Sequence, residues 1–201
     1  MSPGFTDIVS YFFFTQQILV CSGFTLTFKF MMQGTGNGFA LIVTNTAGGI
    51  LNLNGGTGPN LGISNVDRSF AVVFDFCPKY PNCDSGVQVR LHYNETGGPN
   101  SVLNSTLHVY EPNVLQNWAN STIHSVHMYY YQNPNWFEVY VDNSLRLVQT
   151  DFPIRDIVGG NNAWVGFAST SGESPSQANL TCIISDVVVQ TVTKYRNILN
   201  S

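Results

Sequence analysis

A short segment around Asp75 carries residue types that could bind a metal ion. Asp75 lies in the apolar run Phe70–Phe76, and Asp84 follows a loop that begins at Cys77 and ends at Cys83. Carboxylate and carbonyl oxygens are the ligands that Ca²⁺ prefers, but two cysteines at the ends of a short loop could also form a disulfide that fixes it. The segment therefore predicts either a calcium site or a turn held by a disulfide.

The other titratable residues do not form a catalytic pattern. Glycoside hydrolases need two carboxyl groups about 5–9 Å apart, and the strand that carries Asp75 has Val73 where a second acid would face the same side. Glu138 and Asp142 are evenly spaced on a strand and its turn, which is typical of a solvated face. The sequence therefore predicts a protein that is not an enzyme. Zinc-binding spacing is absent among the histidines, which are His92, His108, His124 and His127.

These residues must be positioned by β-strands, because the dominant hydrophobic period is two. In Phe24–Phe30, apolar residues alternate with Thr25, Thr27 and Lys29. Turns rich in glycine and asparagine separate the strands, and no stretch has a helical period, so we predict one domain, a two-sheet sandwich of ten or more strands. The other predicted strands are Phe39–Val43, Phe70–Phe76, Val87–Tyr93, Val126–Tyr130, Phe137–Val141, Leu145–Gln149, Ala163–Ala168 and Cys182–Val192.

Composition excludes several classes of protein. Charged residues make up 10% of the 201 residues and the net charge is −4, whereas about 25% is ordinary for a soluble protein. Without a basic patch, binding to nucleic acid or to a membrane surface is not expected. Residues 1–20 lack a basic start and are interrupted by Gln16 and Gln17, so they predict neither a signal peptide nor a transmembrane helix.

Sequons and cysteines indicate a secreted or cell-surface glycoprotein. Because no signal peptide is visible, we expect the chain to be a segment of a longer extracellular protein or an incomplete gene product. We expect glycan on at least two of the sequons, which are predicted at strand ends or in loops. The four sequons begin at Asn94, Asn104, Asn120 and Asn179.

The four cysteines allow three pairings. Cys77 and Cys83 close a loop short enough for a disulfide to span. That leaves Cys21 and Cys182, each at the start of a predicted strand. We therefore predict a Cys77–Cys83 bond and a Cys21–Cys182 bond, and the second would join the two ends of the domain.

Several motifs follow one another along the chain in a recognisable order. They are Gly23–Phe30, Gly36–Val43, Ala47–Leu51, Phe70–Phe76, Trp136–Asp142 and Ala163–Gly172. In this order they resemble the L-type (legume-type, concanavalin A-like) lectin domain over roughly residues 11–192, without the first strand of that family. The resemblance implies an all-β jelly-roll sandwich of two antiparallel sheets, with sugar bound by loops above the concave front sheet.

For the metal site, the resemblance implies that a transition-metal site is absent. Metal-binding members have an acid at the position of Val73, and the histidine that they use has no counterpart here. Asp75 and Asp84 match two other ligands, whereas Lys79 stands where the family has an asparagine. Two alternatives remain: a lone calcium held by Asp75, Asn82 and Asp84, or no metal, with Lys79 supplying the positive charge. No other cofactor is expected.

For the sugar site, the resemblance points to residues of several loops. Stacking by Tyr80 or Phe39 is also expected. Two functions remain open. One is a carbohydrate-recognition module that binds a glycan or glycoprotein; the alternative is a structural or adhesive module that has lost sugar binding and contacts other extracellular proteins. The candidate sugar-binding residues are Asn37, at the position of the key aspartate of the family, with Gly48, Gly49, Tyr80, Asn82 and Ser171.

Overall fold

The chain folds into two antiparallel β-sheets. The computed structural model describes residues 9–34, 37–46, 49–50, 53, 61–63, 66–76, 88–94, 120–170 and 181–192. The elements are β1 (Val9–Phe13), β2 (Ile18–Leu19), β3 (Phe24–Gln33), β4 (Gly38–Thr44), β5 (Ser69–Asp75), β6 (Gln88–Asn94), β7 (Asn120–Tyr131), β8 (Trp136–Val141), β9 (Ser144–Gln149), one helical turn α1 (Ile154–Ile157), β10 (Asn162–Thr170) and β11 (Thr181–Thr191).

The six-stranded front sheet has the order β1-β10-β4-β5-β6, with β2 also paired to β10. The five-stranded back sheet has the order β11-β3-β7-β8-β9. All of these pairings are antiparallel. The prediction of an all-β sandwich of two antiparallel sheets is confirmed. Within the described ranges, no helix is long and apolar enough to cross a membrane.

The core between the sheets is built mainly from phenylalanine rings. In β3, buried and more exposed residues alternate as predicted, which places Phe28 on the core side. The ring of Phe28 lies 5.1 Å from that of Phe167 and 6.0 Å from that of Phe74, measured between centroids. Phe74 in turn stacks on Phe39 at 4.5 Å. These rings join β3 of the back sheet to β4, β5 and β10 of the front sheet.

The front sheet is also buried on its other face. There Ala40, Val73 and Ala168 form a second apolar cluster with Leu61, which belongs to the connection between β4 and β5. The hydroxyl group of Tyr11 donates a hydrogen bond to the carbonyl oxygen of Gly62, which follows Leu61, at 2.9 Å. Residues 61–63 of this connection pack on the sheet. β4 and β5 are buried along their whole length, which explains their continuous apolar sequences.

Sequence analysis did not predict the edge strand β1. It pairs with β10 over Val9–Phe13. Its odd positions are half-buried, but Phe12 is 61% exposed, so an apolar residue stands on the solvent side. Because of Phe12, apolar and polar residues do not alternate in β1, and strand prediction depends on that two-residue alternation.

β11, an edge strand of the back sheet, carries a bulge. Its register with β3 shifts between Ser185 and Val188, and Asp186 within the bulge has a φ of 54°. The carboxylate of Asp186 forms an ion pair with Lys29 on β3, at 2.8 Å. The bulge therefore bends the edge strand and places a charge on it.

The predicted Cys21–Cys182 disulfide is wrong. Both thiols are free. Cys182 is paired with Met32, whereas Cys21 precedes Phe24 at the other end of β3, and the length of β3 between these ends is roughly 25 Å. A disulfide needs Cα atoms about 4–7 Å apart. Burial raises the pKa of the Cys182 thiol to about 12. Cys77 and Cys83 lie outside the described residues.

The predicted turn between β8 and β9 is confirmed. Asp142 and Asn143 have φ values of 51° and 62°, as a two-residue hairpin turn of type I′ requires. The Asp142 carboxylate accepts hydrogen bonds from the backbone N–H of Ser125, at 2.9 Å, and from Nδ1 of His124, at 2.6 Å. The turn is therefore tied to β7 by the side chain of Asp142.

The hydrogen bonds of Asp142 predict a stability that depends on pH. Burial alone would raise the pKa of this carboxyl group, but the hydrogen bonds from His124 and Ser125 outweigh it and lower the pKa. The stabilisation is thus complete above the unfolded pKa of about 4 and is lost as the pH falls through the lower folded value. In Asp142→Asn, whose amide tolerates the turn conformation, this acid dependence should disappear.

Urea unfolding of the wild type and of Asp142→Asn between neutral and strongly acidic pH measures the effect. Because the Asp142 side chain is 45% exposed, solvent screening limits the expected difference at neutral pH to about 0.5–1 kcal/mol. The difference should shrink in acid. Parallel pH profiles for the two proteins would show that the carboxylate contributes nothing.

Candidate functional site

Three polar residues meet where β4 begins and where β5 and β10 end. This edge of the front sheet is formed by the ends of inner strands and not by an outer strand. Gly38, the first residue of β4, is paired with Asp75 on one side and with Thr170 on the other. Asn37 immediately precedes Gly38, and its carbonyl oxygen accepts a hydrogen bond from the backbone N–H of Phe76, at 2.8 Å. We call this group of Asn37, Asp75 and Thr170 the Asn37 edge.

Gly38 allows the strands to approach closely at the Asn37 edge. Its φ is 122°, a conformation that residues with a side chain rarely adopt. A Cβ atom at this position would lie 2.0 Å from the carbonyl oxygen of Phe74. The hydroxyl group of Ser169 donates a hydrogen bond to the Gly38 carbonyl oxygen, at 3.3 Å. The conformation of Gly38 therefore fixes where the backbone of Asn37 lies.

The polar side chains of the Asn37 edge are buried. Asn37 is 1% exposed, and Asp75 and Thr170 are buried as well. Within the part of the chain that the structure describes, the side-chain nitrogen of Asn37, Nδ2, has no hydrogen-bond partner. Leaving a buried amide group in this state costs about 1–3 kcal/mol, so unsatisfied groups of this kind call for an explanation. A hydrogen-bond acceptor that reached Asn37 would remove this cost.

The described residues do not fit a site that holds a transition metal beside calcium, as in the metal-binding members of the family that the sequence resembles. Val73, which replaces the first acid, is packed in the apolar cluster with Ala40 and Leu61. Within the described ranges, no group of three or more histidine, cysteine, aspartate or glutamate residues could hold a metal ion. Asp75 is correctly placed at the end of a buried strand. The other predicted calcium ligands, Asn82 and Asp84, and the alternative cation, Lys79, lie outside the described residues.

Two of the predicted sugar contacts do not reach the Asn37 edge. Phe39 was expected to stack on a sugar, but its ring is 0% exposed and stacks on Phe74 inside the core, so that prediction is wrong. The N–H of Gly49 donates to the carbonyl oxygen of Thr46 in a turn. This turn follows Thr44, at the far end of β4 and roughly 20 Å along the strand from the Asn37 edge.

Tyr80, Asn82, Asp84 and Ser171 belong to segments that follow strands ending at this edge, whereas Gly48 directly precedes Gly49 in the sequence. One segment follows Phe76, and another follows Thr170. Sequence analysis missed Thr170, because nothing in the local pattern distinguishes a buried threonine at a strand end from an exposed one. Gly48, Tyr80, Asn82, Asp84 and Ser171 lie outside the described residues.

The two sequon asparagines that lie in the described residues are at strand ends. Asn94 is the last residue of β6, and Asn120 is the first residue of β7. Asn104 and Asn179 lie outside the described residues.

The fold was compared with solved structures. It is similar to a lectin from Bauhinia forficata in complex with GalNAc, with a TM-score of 0.67 and 15% identity, over 94% of this chain and 82% of that chain. It also resembles the carbohydrate recognition domain of Emp46p, with a TM-score of 0.61 and 12% identity, over 92% and 79% of the two chains.

A third similar structure is the legume lectin-like domain from Entamoeba histolytica. Its TM-score is 0.60 and its identity 14%, over 94% of this chain and 82% of that chain. No protein-family model and no curated protein sequence matches the chain. These likenesses extend over nearly the whole chain at low identity. The chain therefore has the fold of the legume lectins and the legume lectin-like domains.

Proposed function

We propose that the chain is a carbohydrate-recognition module that binds a glycan at the Asn37 edge. The observation that carries the proposal is the buried Nδ2 group of Asn37, which lies beside Asp75 and has no hydrogen-bond partner among the described residues. The similarity to lectins solved with GalNAc and with galactose supports the class of ligand. A binding function also agrees with the sequence, which contains no catalytic pattern.

The chemistry at this edge suits a polyhydroxylated ligand. A sugar hydroxyl group both donates and accepts hydrogen bonds. Nδ2 of Asn37 would donate to a hydroxyl oxygen, and the Asp75 carboxylate is an acceptor for a hydroxyl proton. Because the site is largely removed from water, such bonds are stronger than they would be at an open surface. A neutral amide at position 37 makes weaker bonds than a carboxylate would, so we expect weak binding of each single sugar.

A glycan array on the domain, followed by titration calorimetry with the best glycan, tests this function. Asn37→Ala should weaken binding about tenfold, the equivalent of one hydrogen bond in a buried site. Asn162→Ala is the matched control, because Asn162 is exposed and begins β10 at the end opposite Thr170. Absence of any glycan ligand, or equal effects of the two substitutions, would contradict the proposal.

The same titration, repeated with excess calcium and with a chelator, distinguishes the two metal alternatives. We expect the chelator to change neither glycan binding nor the melting temperature, because Val73 has replaced a ligand and Lys79 is available as a cation. If Asp75 held a calcium ion, free calcium at a hundredfold excess over its Kd would raise the free energy of unfolding by about 2.7 kcal/mol. The chelator would remove that stabilisation. The Asp75→Asn variant would then no longer respond to calcium.

A second candidate function is the docking of another protein. It is favoured by half-buried tyrosines and the more exposed Trp136 on the outer face of the back sheet, away from the Asn37 edge. The two functions do not exclude each other, because the Asn37 edge belongs to the front sheet.

A further inference from the structure

The outer face of the back sheet carries a cluster of aromatic residues around one carboxylate. In the pairing of β7 with β8, Tyr129 is opposite Glu138, and Tyr131 is opposite Trp136. These residues alternate with buried ones, such as Tyr130 and Phe137, and therefore face away from the core. We call Tyr129, Tyr131, Glu138 and Tyr140 the tyrosine surface.

The rings of the tyrosine surface are ordered against one another. Tyr129 and Tyr131 are nearly parallel, with an interplanar angle of 7° and centroids 6.3 Å apart. Tyr140 stands perpendicular to Tyr129 at 5.8 Å. The Tyr140 hydroxyl group donates a hydrogen bond to Oε2 of Glu138, at 3.1 Å. Trp136, which is 38% exposed, extends the aromatic area at one end.

The charge of this surface is negative and is not neutralised by the part of the chain that the structure describes. No lysine, arginine or histidine of that part forms an ion pair with Glu138. Burial raises the pKa of Tyr131 and of Tyr140, and the negative charge of Glu138 raises both further. The phenol groups therefore stay protonated at neutral pH, and their rings present the electron-rich faces that attract cations.

We propose that the tyrosine surface is a docking site for a basic segment of another polypeptide, with an arginine side chain placed on the tyrosine rings and against Glu138. A guanidinium group is planar, stacks on aromatic rings and forms paired hydrogen bonds with a carboxylate. The net charge of −4 of the whole chain favours the approach of a basic partner.

Charge complementarity favours this occupant over two others. A neutral glycan could stack on the rings but would leave the charge of Glu138 without a counterpart. A second copy of this chain has the same net charge of −4, which opposes its approach. Lys29, which lies on the same face of the back sheet, is already paired with Asp186. A different polypeptide with free basic side chains fits the surface better.

Titration of the domain with a synthetic peptide that alternates arginine and serine, followed by calorimetry and NMR, tests the proposal. A second peptide has citrulline in place of arginine, which keeps the shape but removes the charge. We expect the arginine peptide to bind and the citrulline peptide to bind about tenfold more weakly, because one desolvated cation–aromatic contact is worth such a factor. Higher salt should also weaken binding of the arginine peptide.

Variants identify the residues involved. Glu138→Gln and Tyr131→Leu should each weaken binding of the arginine peptide about tenfold. Asp186→Asn is the matched control: it changes the net charge as Glu138→Gln does, on the same sheet, and should leave binding unchanged. Thermal melting of each variant establishes that it is folded. Asn37→Ala should also retain peptide binding, which separates this proposal from that of the glycan site.

Three outcomes would overturn the inference. Equal binding of the arginine and citrulline peptides would show that charge is not recognised. A neutral glycan whose binding is lost in Tyr131→Leu but kept in Glu138→Gln would make the surface a sugar site. A dimer of the wild type that dissociates in Tyr131→Leu would assign the surface to a second copy of the chain.

Discussion

Replacement of Phe28 by alanine is expected to lower the free energy of unfolding by about 3–5 kcal/mol, the usual cost of removing a large aromatic ring from a packed core. The ring of Phe28 contacts Phe39, Phe74 and Phe167 of the front sheet, and its centroid lies 5.1–6.2 Å from theirs. Since it joins three strands of one sheet to a strand of the other, the cavity cannot close without moving the sheets.

Urea unfolding followed by circular dichroism measures this loss. Phe12→Ala is the matched control, because Phe12 lies on the edge strand β1 with its side chain 61% exposed. Its replacement should change the free energy of unfolding by less than about 1 kcal/mol. Similar losses for the two variants would mean that the ring of Phe28 is not the centre of the core.

Gly38→Ala is expected to destabilise the domain by about 3 kcal/mol or more, because backbone strain at a positive φ adds to a steric clash. The new Cβ atom would lie 2.0 Å from the carbonyl oxygen of Phe74, which the sheet holds in place. Relief of this overlap must move Asn37 or Asp75. We therefore expect the variant to lose glycan binding even under conditions where it remains folded.

Gly49→Ala separates backbone strain from the clash. Gly49 also has a positive φ, of 70°, but no atom of the described residues lies within 4 Å of an added Cβ. Its replacement should cost only about 1–2 kcal/mol, the strain of a left-handed residue. Unfolding of both variants in urea provides the comparison. A loss in Gly38→Ala no larger than that in Gly49→Ala would show that the clash is relieved by a small shift.

Much of the fold can be predicted from the sequence because burial leaves a local pattern. The alternation in β3 and the continuous apolar runs of β4 and β5 appear as predicted, and so does the turn at Asp142 and Asn143. The pairing of β11 with β3 leaves no such pattern. Only the antiparallel register shows that Cys182 and Cys21 lie at opposite ends of β3, and this is why the predicted disulfide was wrong.

Less of the site could be predicted, since it depends on loops. Asn37 and Asp75 were predicted by the order of motifs, and the register of β4 with β5 brings them to one edge. Phe39 was one of two aromatic residues expected to stack on a sugar, but its ring points into the core, where it stacks on Phe74. Gly49 was assigned through the resemblance to the lectin family, and the sequence of a loop does not determine where that loop runs.

The bulge in β11 has a consequence for the behaviour of the protein at high concentration. β11 is an edge strand of the back sheet, and an open edge is a template on which further strands can add to form fibres. The shifted register at Ser185 and the charged Asp186 interrupt the regular row of backbone groups that an incoming strand would need. We therefore expect the bulge to oppose strand-by-strand polymerisation at this edge, so that crowded copies remain separate.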